Sequence, residues 1–274
     1  MSRIREEARS PLGLTSIAPS VMTCLVAGLL VLAALAGPFA VAAAVLVAQL
    51  TLAAVPSPTG ISRTPVRAPK AAPIAVAGIV ASLVTLAPAL VVGADGTRAT
   101  ASADVASGSL VGVGLALPVL VLTALFGQLR RPAPRPDVVL ALGEVVVTGT
   151  IALLATGWVA AAISPVGRPA VIVAAVVTAV VVLADRAERI RPLALVWALA
   201  LGALTGIVLA ALEDANSVVG GVAAVAIGGA AALGGAVGRR WRPLPPNRWA
   251  VEAVAPIAFA GPVVFIASLL WAGL

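Results

Sequence analysis

The sequence predicts an all-α, polytopic membrane bundle of about nine transmembrane helices. Hydrophobic residues make up 61% of the 274 residues and charged residues 11%, with a mean hydropathy of +1.12, far outside the usage of soluble domains. Apolar runs long enough to cross a bilayer recur along the chain, separated by short segments rich in Pro, Gly and Arg. The charges are sorted among those segments as the positive-inside rule requires for this number of spans, with the amino terminus cytoplasmic and the carboxyl terminus outside.

Residues 1–16 form a cytoplasmic lead-in with Arg3, Arg5 and Arg9 beside Glu6 and Glu7, and residues 17–274 form a single transmembrane domain. The apolar stretch 17–55 would measure about 58 Å as one helix, roughly twice the hydrocarbon thickness, so it folds back. Gly37-Pro38 is the breaker, giving helices at 17–36 and 39–55. Ala34-Leu35-Ala36 resembles a signal-peptide cleavage site, but a second apolar run follows at once.

The proline-rich connection to Lys70 carries Arg63 and Arg67 and cannot stay helical in lipid. Helix three is predicted at 71–93, kinked by Pro88, and 94–107 reads as a loop. Helix four covers 108–129 around Pro118. Helix five covers 137–163, with Trp158 near its far end where an indole suits the headgroups. A turn through Pro165 and Gly167 leads to a short helix at 169–184, which ends in the cluster from Asp185 to Arg191.

Helix seven, 192–212, takes Pro192 in its first turn, and helix eight, 218–238, is dense in glycine. Helix nine, 250–271, holds Pro256 and Pro262. With this division sixteen basic residues lie in the cytoplasmic segments, and only Arg98 and Arg168 lie outside. Helices one to four and six to nine start from opposite sides, which permits an inverted repeat about helix five.

Composition removes several chemistries. A single cysteine, Cys24, allows neither an internal disulfide nor a thiolate metal site, and without His or Tyr the commonest general base and metal ligand are missing. No metal and no cofactor are expected. The net charge of +7 comes from short clusters between apolar runs, so the basic residues orient the chain in the bilayer and imply no nucleic-acid partner. Seventeen arginines against one lysine point to a GC-rich bacterial genome, hence a bacterial plasma membrane.

Glu144 is the one carboxylate well inside a predicted span, about 10 Å along helix five. A charge there is expensive and must be neutralised, paired or turned to a polar interior. Thr148 one turn above it, Gln49 in helix two and Gln128 near the end of helix four are the groups that could line such an interior. The competing reading pairs Glu144 with a loop arginine such as Arg135. Arg239, Arg240, Trp241 and Arg242 mix cation and indole as an anchor to anionic lipid would. Gly202, Gly206, Gly228, Gly229, Gly234 and Gly238 are expected to let helices approach closely.

Ala258-Phe259-Ala260-Gly261-Pro262-Val263-Val264-Phe265, with the span count and the Gly-rich late helix, is similar to the membrane cytidylyltransferases that make CDP-diacylglycerol. That family's signature of Ser, Arg and a Lys-Asp pair is absent, since the one lysine is Lys70 and no Lys-Asp occurs; paired aspartate motifs of prenyltransferases and CDP-alcohol phosphotransferases are missing too. The resemblance implies a lipid or lipid-phosphate enzyme as the alternative. The residues themselves favour a non-enzymatic role: a small permease-like protein, or a membrane partner or scaffold of a larger assembly, with the bilayer and another membrane protein or further copies of the chain as partners.

Overall fold

A computed structural model describes residues 14–54, 70–95, 102–131, 138–185, 191–212, 216–240 and 248–272. Among these there is no strand. Ten helices follow in order: α1 (Leu14–Ala36), α2 (Pro38–Ala54), α3 (Ala71–Asp95), α4 (Ser102–Leu129), α5 (Val138–Leu154), α6 (Thr156–Ala162), α7 (Gly167–Asp185), α8 (Arg191–Leu212), α9 (Ser217–Arg240) and α10 (Arg248–Trp271). The chain is an all-α, multi-pass membrane bundle. Among the described residues eight helices are long and apolar enough to cross a bilayer, α5 and α6 together forming one of them, while α2, with 17 residues, is shorter.

Gly37 adopts φ +118°, which a side chain would resist, and its carbonyl accepts the first amides of α2 from Ala40 and Val41. One residue therefore reverses the chain between α1 and α2. The expected loop at 94–107 is shorter than predicted: α3 continues to Asp95 and α4 begins at Ser102.

Helix five is not continuous. The amide of Ala155 bonds Ala152 O at 3.2 Å and that of Trp158 bonds Ala155 O at 3.1 Å, tight i→i+3 closures that separate α5 from α6. The cause lies in packing against α10. A Cβ on Gly157 would overlap the Gly261 carbonyl and Pro262 N, and one on Gly261 would overlap Leu154 O, so the two backbones touch at the break.

That contact makes α10 the centre of the bundle. It meets α1, α2, α5, α6, α7 and α9, and 67% of Ala250–Trp271 is buried, against 22% for Pro192–Leu212 of α8. Lipid supplies no hydrophobic drive between helices, so close approach must come from small residues, and the buried surface is mostly Ala, Gly and Val. The outward faces carry Leu122 and Phe126 on α4 and Leu193, Trp197 and Leu201 on α8.

The four helices α7 to α10 interlock, α7 touching all three others, whereas among the described residues α1 packs substantially on α2 but not on α3 or α4. The two sets expected to form an inverted repeat are thus packed differently.

Candidate functional site

Lys70 stands immediately before α3, and its Nζ lies 3.5 Å from Oε1 of Glu144 in the second turn of α5. Both side chains are buried, at 7% and 8% exposure. The distance is long for a charge-assisted hydrogen bond, so the contact is mainly electrostatic, and both Glu144 oxygens are without a hydrogen-bond partner. Burial pushes the Lys70 ammonium below its ordinary value, and the adjacent carboxylate offsets part of that shift. The partner of Glu144 is thus the lysine counted above as a loop charge. Arg135 lies outside the described residues.

One turn above Glu144, Thr148 is buried and its hydroxyl has no partner. Thr85 and Thr178, both fully buried, share this condition. Thr51, Thr123, Thr150 and Thr205 turn their hydroxyls onto the carbonyl four residues earlier, at 2.6–2.8 Å, as threonines in membrane helices usually do.

Above Thr148 the chain breaks, and Gln49 of α2 fills the break. Its Nε2 donates to Ala152 O at 3.1 Å and to Thr156 Oγ1 at 3.2 Å, serving a carbonyl at the end of α5 and the first residue of α6. Gln49 is fully buried, and its Oε1 lies where a Cβ on Gly78 of α3 would stand, without a hydrogen bond. Glu144, Thr148, Gln49 and Thr156 therefore form a file of buried polar groups along α5 and α6. Gln128 is buried at the end of α4, but its Oε1 accepts from Arg131 Nη1 at 2.9 Å, and its Nε2 makes no hydrogen bond to this file.

The indole of Trp158 belongs to the core and not to the headgroup region. It is fully buried in α6 and donates to Ile257 O of α10 at 2.8 Å. Thr23 of α1 likewise reaches Ala253 O at 2.9 Å. Each acceptor lies within a turn or so of a proline, Pro262 or Pro256, that distorts the α10 ladder and opens carbonyls to side-chain donors.

A second polar cluster joins α7, α9 and α10. Arg239 pairs with Asp185, so its guanidinium turns into the protein, while Arg240 is exposed. Gly235 lies against the pair, a Cβ there standing at ordinary contact distance, 3.4 Å from Arg239 Nη1 and 3.6 Å from Asp185 Oδ2. Buried Glu252 lines the same small crevice with Pro256. Glu252 went unnoticed in the sequence, although an acid four residues before a proline inside an apolar run was a visible signal. Arg242 lies outside the described residues, as does Trp241.

Of the glycines, Gly206 and Gly220 meet backbone to backbone between α8 and α9, Gly202 faces Val177, Gly228 faces Leu199 and Val181, and Gly234 and Gly238 face α10. Gly229 corrects the expectation: it is exposed with nothing within 4 Å, because it points away from the helices that Gly228 faces. Among the described residues no group of three His, Cys, Asp or Glu could hold a metal.

No family model, curated protein or solved structure matches the chain, so the geometry alone supports a functional reading.

Proposed function

We propose that the chain is a small permease-like protein of a bacterial plasma membrane, amino terminus inside, and that the polar file on α2, α5 and α6 is its route. The observation that carries this reading is Glu144: a carboxylate buried within a span, held by a cation from another element and otherwise unsatisfied, is costly unless it is used. A purely structural pair would be better replaced by apolar side chains of similar size. The break at Ala155, made by packing against α10, is compatible with this reading, because Gln49 of the same file serves the Ala152 carbonyl there.

The enzyme alternative draws less support. Most of the Ala258–Phe265 stretch that resembles the cytidylyltransferases is buried and serves packing, with Ala258, Ala260 and Val264 fully covered. The test is reconstitution into liposomes and measurement of solute entry for wild type and Glu144→Gln. Entry above that of protein-free vesicles, lost in the variant, supports the permease. Equal entry in all three moves the reading to a membrane partner or scaffold, to be sought by cross-linking in the native membrane.

A further inference from the structure

We infer that the species carried along the α5–α6 file is the proton, an inference that rests on the permease reading and names its cargo. Glu144 and Thr148 are one turn apart, about 6 Å along the axis. A relay between them requires a water joining the carboxyl group to the hydroxyl, each hydrogen bond being about 2.8 Å. Thr148 Oγ1 has not been claimed by its own helix, and it can accept a hydrogen on a lone pair while releasing the one it holds. At the far end Ser164, just beyond α6, is buried with an equally unpartnered hydroxyl. A buried hydroxyl in this condition takes a water only where the site leaves room and further polar partners for one.

The packing limits the cargo to something very small. Beside the file Leu120 of α4 occupies the space a side chain on Gly149 would need, and Gln49 does the same at Gly78. A hydrated solute has no room there, whereas a proton needs only a chain of hydrogen bonds.

The transfer balances without a co-reactant. Hydronium from the aqueous phase on the Lys70 side gives its proton to the Glu144 carboxylate and leaves as water, giving a neutral acid and leaving the Lys70 ammonium without that counter-charge. The acid gives its hydrogen to a bridging water, which passes one of its own to Thr148 Oγ1; Thr148 releases its original hydrogen to the next water. Gln49 interrupts the chain, because both hydrogens of its Nε2 are committed, to Ala152 O and Thr156 Oγ1. Gln49 is therefore the gate, and its side chain must turn for the proton to pass.

The helices packed on α5 are α2, α3, α4, α6 and α10. Neither α2 nor α6 carries a charge; α3 has Lys70 at its foot and Asp95 at its far end. Asp104 lies in the first turn of α4, with Arg130 and Arg131 just past its last residue, and α10 has Arg248 and Glu252 in its first turns.

The test uses the full chain in liposomes loaded with a pH-sensitive dye, with proton entry driven by a potassium diffusion potential. Wild type should exceed protein-free vesicles, Glu144→Gln should fall to their level, and Gln49→Ala should exceed wild type. Thr148→Val, which leaves the Lys70–Glu144 pair intact, should also lose flux while keeping the wild-type melting temperature in detergent; that separates relay from folding. Proton entry that is the same in wild type, Gln49→Ala and empty vesicles overturns the inference. Swelling of the same vesicles in glycerol and in methylammonium then decides the rest: entry that still depends on Glu144 keeps the permease with another cargo, and entry independent of it removes both readings.

Discussion

Lys70 Nζ and Glu144 Oε1 lie 3.5 Å apart, joining the foot of α3 to the second turn of α5 with both side chains buried. Removing one partner strands the other charge, so Glu144→Leu or Lys70→Met alone should cost about 3–5 kcal/mol. The double change Lys70→Met with Glu144→Leu should recover most of it. Thermal unfolding in detergent across the four proteins measures this, and additive losses would show that the two side chains do not interact.

Amine chemistry reports on the same pair. Lys70 is the one lysine, so labelling at a side-chain amine reads that site alone. Its lowered affinity for the proton comes first from burial, and the carboxylate opposes it. Glu144→Gln removes the opposing influence, so more of the amine is neutral at a given pH and labelling should quicken. Mass spectrometry after a timed pulse at mildly alkaline pH measures the rate; a slower rate in the variant would contradict the pairing.

Neighbouring glycines of α9 should behave oppositely. Gly228→Leu drives a side chain into Leu199 and Val181 and should cost about 1–3 kcal/mol by overpacking. Gly229→Leu meets open space and should leave the melting temperature at or above that of wild type. Equal losses at the two positions would mean that α9 is rotated from the arrangement described.

Trp158→Phe keeps the ring in place but removes the donor to Ile257 O, and should cost about 1 kcal/mol. Trp158→Ala also empties a fully buried site and should cost about 3–5 kcal/mol. Similar losses for the two would assign the indole N–H the whole effect.

The apolar runs and the proline and glycine breakers between them were legible from the sequence because lipid imposes length and composition directly. Glu144 was legible for the same reason: a charge inside an apolar run stands out. Its partner was not, because Lys70 sits in a basic loop where topology already explains it, and only the fold brings α3 against α5. The break at Ala155 left no proline or polar mark, since it arises from Gly157 meeting Gly261, more than a hundred residues away. Trp158 misled because an indole near a helix end reads the same whether it meets headgroups or a carbonyl of α10.

The single-residue reversal at Gly37 bears on the membrane itself. As a crossing segment, the 17 described residues of α2 reach about 25 Å, short of a hydrocarbon core of about 30 Å. With one residue between α1 and α2 the hairpin has no slack at that end, so a mismatch there falls on the adjoining leaflet. The protein should therefore be a thickness sensor by construction, most stable in short-chain lipids, with its melting temperature falling as the acyl chains of the host bilayer are lengthened.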